Sequence, residues 1–197
     1  MLKPLHANYS FFIFIFTLLG LGCSKSNLAN DSGREGRPNI TDCSYFVEDY
    51  ACDFSLIDQN GASVSLYDFY GKTIILDFSA VWCGPCVMAA SEITSVMNKF
   101  SNSDLVYLTV LIEDAYGSPP DKEDCLSWAN SYGIDEPVLA GSRSLVDSLG
   151  EQGWPIISWP TFFFITDDMK IHSTLSGFSS HYIDLLASDA IEKSSSN

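Results

Sequence analysis

The chain has 197 residues, of which 46% are hydrophobic, 13% aromatic and 18% charged, a globular composition whose length predicts one domain with appendages. Ten Lys+Arg against 25 Asp+Glu give a formal net charge of −15, which speaks against nucleic acid as a partner and against a basic membrane-surface domain, since both need clustered positive charge. Thirteen Phe, nine Tyr and four Trp exclude an acidic disordered chain.

In chain order the first element is a targeting segment over residues 1–22. Lys3 supplies a positive start, Phe11 to Leu19 an apolar run, and Gly20-Leu21-Gly22 a small-residue end. The uncharged run from Ala7 to Gly22 falls short of the ~20 apolar residues that span a bilayer, and has the shape of a secretory signal. Gly22 directly before Cys23 resembles a bacterial lipoprotein signal, in which the cysteine is lipidated. Gly20 stands where such signals usually carry Leu, and an ordinary cleaved signal or an uncleaved anchor are the alternatives. All of these export the domain; the lipoprotein reading anchors it to a membrane, facing the periplasm, and Ser24 resembles the outer-membrane sorting choice. Residues 23–42, rich in Ser, Asn, Gly and charge, are expected to be a flexible tether. The domain itself is expected over residues 43–192, with residues 193–197 as a frayed tail.

Phe54–Asp58 and Ser63–Leu66 flank Asn60-Gly61, a strong hairpin signal. Thr73–Ser79 is a mostly apolar run, as expected of a central strand buried on both faces. Apolar residues recur at helical spacing from Pro85 to Phe100. Leu105–Ile112 reads as a second central strand. Pro119-Pro120-Asp121 predicts a helix start, with the helix running to Tyr132 and stopped by Gly133. Leu145–Leu149 predicts a short helix, Thr161–Thr166 and Ile171–Leu175 a second hairpin, and Ser180–Ile191 a last amphipathic helix. Strands alternating with helices imply an α/β layered fold.

The chemistry centres on Trp82-Cys83-Gly84-Pro85-Cys86, between the first central strand and its helix. Two residues between cysteines across a helix start bring the sulfurs into disulfide range. The helix dipole and free N–H groups favour a thiolate at Cys83, while Cys86 lies one turn inside. Pro85 fits the first turn, where its missing N–H loses no partner. Structural zinc would need a second ligand pair at suitable spacing, which Cys43, Cys52, Cys125 and the three His do not provide, so neither metal nor cofactor is expected.

Leu76 to Cys86 resembles the active-site strand and motif of the thioredoxin family nearly residue by residue. The likeness runs through most of residues 50–190, and the added N-terminal hairpin is similar to the exported, membrane-tethered TlpA-like branch. The resemblance implies a thioredoxin-like α/β fold with a central mixed sheet flanked by helices. It implies Cys83 as nucleophile, Cys86 as resolving thiol, and Asp77 as a buried acid accepting the Cys86 proton through a water, its pKa raised by burial. Trp82, Gly84 and Pro85 would line the substrate groove. A cis-proline would face the cysteines; of Trp154-Pro155 and Trp159-Pro160, the second pair fits, because the strand Thr161-Phe-Phe-Phe-Ile follows it. Ser79 and Val81 depart from residues common at their positions. Gly177 matches a packing glycine before the last helix, or is a plain turn glycine.

In an oxidising compartment two of Cys43, Cys52 and Cys125 are expected to pair, most simply Cys43 with Cys52, the alternative being three inert thiols; Cys125 is the candidate for burial. The leading functional expectation is an envelope oxidoreductase reducing protein disulfides, fed by a membrane electron donor. Gly-Pro between the cysteines resembles reducing thioredoxins, near ~−270 mV, against ~−120 mV for a strong periplasmic oxidant. One alternative is a peroxiredoxin-like peroxidase, whose cysteine stands in a Thr-x-x-Cys context where this chain has Ala80. The other is a tethered, non-catalytic binding module.

Overall fold

The computed structural model describes residues 38–196. The expected signal, the lipidation of Cys23 and the tether as far as Arg37 lie outside the described residues. Among the described residues no helix is long and apolar enough to cross a membrane.

The strands are β1 (Ser55–Asp58), β2 (Ser63–Ser65), β3 (Thr73–Ser79), β4 (Leu105–Leu111), β5 (Val138–Ala140), β6 (Thr161–Ile165) and β7 (Ile171–Ser176). The helices are α1 (Gly84–Lys99), α2 (Lys122–Tyr132) and α3 (Ser180–Ser194). One sheet runs in the order β2-β1-β5-β4-β3-β6-β7. β3, β4 and β5 are parallel; β6 pairs with β3, and β1 with β5, in the opposite sense. This is the thioredoxin-like mixed sheet that the resemblance implies, with the N-terminal hairpin extending it past β5.

All seven residues of β3 are buried, so its two faces feed two cores. Ile75, with Tyr107, Phe162 and Phe164, packs under the buried faces of α1, α2 and α3: Cys86, Ala89, Ala90 and Ile93; Cys125, Trp128 and Ala129; Ile183, Ala187 and Ala190. Ile74, Leu76 and Phe78 face the other way, with Leu108, Val110 and Phe163. At roughly 1.5–3 kcal/mol for each large apolar side chain buried, these two layers fix the register of the central strands. Among the described residues the second face carries no α-helix. It is covered by the 3-10 helix Leu66–Phe69, by Trp154 and Ile156, and by a strap over residues 43–52.

That strap is closed by a Cys43–Cys52 disulfide, the simplest of the pairings left open by the sequence. It is stitched to β7 and the turn before it by Glu48 N–H to Ile171 O (2.7 Å), Ala51 N–H to Met169 O (2.8 Å) and Ile171 N–H to Asp49 O (2.9 Å). Tyr45 meets Trp154 edge-on at 5.4 Å, and Trp154 in turn contacts Phe78 and Phe163. Trp154-Pro155 is thus a core anchor.

Three expectations change, and one strand is additional. The short helix over Leu145–Leu149 is instead a 3-10 turn, Arg143–Leu145, after which Val146 bridges to Trp154. Five residues are too few to offset helix nucleation, and the Asp147 carboxylate takes the N–H groups of Leu149, Glu151 and Gln152 for a local turn. β5 is a strand that three residues after Pro137 are too short to announce. α3 runs past the expected break at Lys193 to Ser194, whose hydroxyl bonds Thr73 Oγ1 (2.9 Å) and accepts from Asp167 N–H (3.1 Å). Ile40, inside the expected tether, packs on the second core.

Candidate active site

The site grows from the C-terminal end of β3. The pairing of β3 with β4 continues beyond the strands, through Ile112 N–H to Ser79 O (2.9 Å) and Val81 N–H to Glu113 O (3.0 Å). These bonds hold the segment that leads into α1. Cys83 is the N-cap of that helix, and its sulfur accepts from Cys86 N–H at 3.3 Å. Cys83 and Cys86 are joined as a disulfide. Cys83 is 4% exposed and Cys86 fully buried, so the outer sulfur sits at a helix N-terminus, where free N–H groups and the macrodipole favour negative charge. Gly84 and Pro85 are exposed beside it, and half the surface of Trp82 is open.

The Trp159–Pro160 bond is cis. Register places it: Thr161 of β6 pairs with Phe78 of β3, so Pro160 lies at the strand end from which the cysteine motif departs. The Pro160 carbonyl accepts from Gly177 N–H at 2.7 Å. Gly177 itself has φ +80 and a Cβ there would meet nothing within 4 Å. Backbone conformation, not close packing, requires this glycine, which makes it the turn glycine of the two options.

Asp77 is 1% exposed. Alternation along β3 puts it with Ile75 on the face that α1 covers. Its Oδ1 accepts from the Ser79 hydroxyl (2.7 Å) and its Oδ2 from the Tyr107 hydroxyl (3.1 Å). Burial pushes the carboxyl up to about 7, against the lowering effect of those two hydrogen bonds. The Tyr107 phenol is raised well above its ordinary value, by burial first and by the Asp77 charge second. Ser79, a departure from the usual residue when read in the sequence, therefore has a structural task at the carboxylate.

Glu113, just past β4, was not singled out by the sequence. It is 8% exposed. Oε2 accepts from the Trp82 indole N–H at 2.8 Å and Oε1 from Arg143 Nε–H at 2.6 Å. The Arg143 bond holds its carboxyl below the usual range, with burial opposing and the Trp82 bond assisting. Arg143 also lies over the Trp159 ring, its guanidinium carbon 5.5 Å from the centroid. The available signal was faint: an acidic residue at a strand end, and a lone Arg in an acidic domain.

The AhpC/TSA family model matches residues 47–174, a stretch that includes Asp77, Cys83, Cys86, Glu113, Arg143 and Pro160. The chain belongs to the AhpC/TSA family. It spans just under two thirds of the length of curated relatives such as the thiol-disulfide oxidoreductase ResA of Bacillus subtilis, to which it is 25% identical over 128 residues, 64% of this chain and 65% of that protein. Among solved structures it resembles a thiol:disulfide interchange protein of the thioredoxin family from Chlorobium tepidum TLS, at 20% identity and TM-score 0.59, over 72% of this chain and 95% of that one. It also resembles peroxidoxin BcpB from Mycobacterium tuberculosis, at 19% identity and TM-score 0.57, over 79% of this chain and 98% of that one. At these identities the structural likeness concerns the fold. Within this AhpC/TSA chain, Cys125 is a buried free thiol whose pKa is pushed up to about 12 by burial and by nearby carboxylates, Asp124 first.

Proposed function

We propose that the chain is an exported thiol–disulfide oxidoreductase that reduces protein disulfides. The observation that carries the reading is the Cys83–Cys86 disulfide at a helix N-terminus, inner sulfur fully buried, with cis-Pro160 at the strand end from which the motif departs and Asp77 buried on the β3 face that α1 covers. In the reduced form the Cys83 thiolate attacks one sulfur of a substrate disulfide. That S–S bond breaks, and the leaving thiolate takes a proton from solvent. Cys86 then gives its proton through a water to the Asp77 carboxylate and attacks the Cys83 sulfur, breaking the mixed disulfide. The second substrate sulfur leaves as a thiolate and takes a proton from solvent, Asp77 releases the proton it accepted, and two electrons have passed from the Cys83/Cys86 pair to the substrate. Trp82, Gly84, Pro85, Trp159 and Pro160 form the groove in which the substrate strand lies.

Dithiol regeneration calls for a donor; for an exported domain that is a membrane dithiol protein, since the envelope holds no reducing buffer. The signal-like segment over residues 1–22 and the Cys43–Cys52 disulfide support an oxidising compartment. Cys23 is the proposed lipid anchor, and the residues after it the tether, holding the domain off a membrane at the periplasmic side. Metabolic labelling with palmitate, abolished by Cys23→Ser, tests the anchor.

Equilibration of the protein with dithiothreitol and glutathione buffers tests the activity. A Cys83–Cys86 couple near ~−270 mV, absent in Cys83→Ser, supports a reductase. A potential above about −150 mV makes it an oxidase or isomerase on the same scale. A pair that does not exchange leaves a binding module. The AhpC/TSA match favours a second reading, a peroxidase acting through Cys83. Ala80 stands where a peroxidatic site carries Thr, and rapid peroxide consumption by the reduced protein is the result that would promote it.

A further inference from the structure

Arg143 is the sole arginine among the described residues. It touches both sides of the groove: through Glu113 it is joined to the Trp82 indole, and its guanidinium lies over Trp159, the residue before cis-Pro160. Its position follows from the chain path. β5 ends at Ala140, and Gly141 N–H donates to Leu111 O at 2.8 Å. A Cβ on Gly141 would lie 2.7 Å from Val110 Cγ1 and 2.9 Å from Leu111 O, so glycine lets the chain leave β5 this close to β4 on its way to Arg143.

The arginine is only partly engaged by the protein. Its side chain is 60% exposed, and among the described residues its one hydrogen bond is from Nε–H to Glu113. The terminal nitrogens keep four N–H donors in a planar fork matched to a carboxylate. Glu113 bonds only Nε of the guanidinium, and its other oxygen is taken by the Trp82 indole, so it does not occupy the terminal nitrogens. Neither the N–H nor the C=O of Trp159 takes part in a backbone hydrogen bond among the described residues, so an extended peptide has a place to pair next to the fork.

We propose that Arg143 is a specificity-determining residue that binds a carboxylate of the substrate, an Asp or Glu side chain close in sequence to the cysteine that Cys83 attacks. The proposal rests on the oxidoreductase reading of Cys83. The chain as a whole is strongly acidic, so attraction to an acidic segment must be local, within the ~8 Å over which charges act at physiological salt.

The test uses the reduced protein and two peptides with the same internal disulfide, one with Glu and one with Lys beside the cysteine. Reduction is followed by thiol release. The wild type is expected to show a kcat/KM ratio of about three to ten in favour of the Glu peptide, the range of a charge-assisted hydrogen bond discounted for exposure. In R143Q the ratio falls to about one, and R143K keeps part of it. Because the ratio is internal to each variant, a general loss of activity or folding cancels. A wild-type ratio near one, or a ratio that R143Q leaves intact, overturns the proposal. Bis(2-hydroxyethyl) disulfide is the neutral control: if the wild type reduces it but does not discriminate between peptides, the carboxylate reading alone fails. If it reduces none of the three, the oxidoreductase reading fails.

Discussion

Asp77 is where residue-scale chemistry reaches stability. A free Asp titrates near 3.8, and burial raises this carboxyl to about 7 in the folded chain. Between those pH values the folded state keeps a proton that the unfolded state has lost, so raising the pH through the window weakens the fold. Asp77→Asn removes this titration. Its stability relative to the wild type is expected to rise by roughly 2–3 kcal/mol between pH 5 and pH 8, measured by urea unfolding with both disulfides oxidised. A difference independent of pH would show that the carboxylate does not titrate there. The same residue illustrates what a sequence discloses. The position of Asp77 on a strand before the motif could be read directly, whereas its two donors came from different sources. Ser79 is two residues away on the same face, but Tyr107 reaches it from β4, thirty residues on.

Among the elements, the strap over residues 43–52 helps to cover the second face of the sheet. Its disulfide links residues nine apart, and closing a loop of that size removes enough unfolded-state entropy to contribute roughly 2–3 kcal/mol. Replacing Cys43 and Cys52 together with Ser is expected to lower the unfolding free energy by that amount in a denaturant titration. A change below about 0.5 kcal/mol would mean that the hydrogen bonds to β7 hold the strap unaided. α1 and α2 were legible because their starts are written locally: Cys83 and Pro85 for the first, and for the second Asp121, whose carboxylate caps Asp124 N–H while Asp124 returns the bond. β5 and the 3-10 turn at Arg143 were not, because three-residue elements have no period and exist only through the neighbours they pair with.

At the scale of the whole molecule, the charge of −15 acts against compaction. The visible ion pairs among the described residues are few and mostly exposed, such as Lys99 with Asp184 and Lys122 with Glu123, so they offset little of it. Raising sodium chloride from about 10 mM to about 300 mM is expected to raise the thermal midpoint by screening that repulsion. A midpoint that stays level or falls would indicate that local pairs outweigh net charge. By itself the sequence determined the α/β class, the central strands, the helix that begins at the cysteine pair, and the Trp159-Pro160 pair as the one that precedes a strand. Each of these is set by residues within about ten positions of one another, through burial period, capping or φ restriction. Only the tertiary structure decided that Glu113 joins Trp82 to Arg143, that Arg143 lies over Trp159, and that both β3 faces are covered differently. The Glu113 contacts span some thirty residues and the Arg143–Trp159 contact sixteen, and they depend on the β4–β5 crossover, whose path no local pattern encodes.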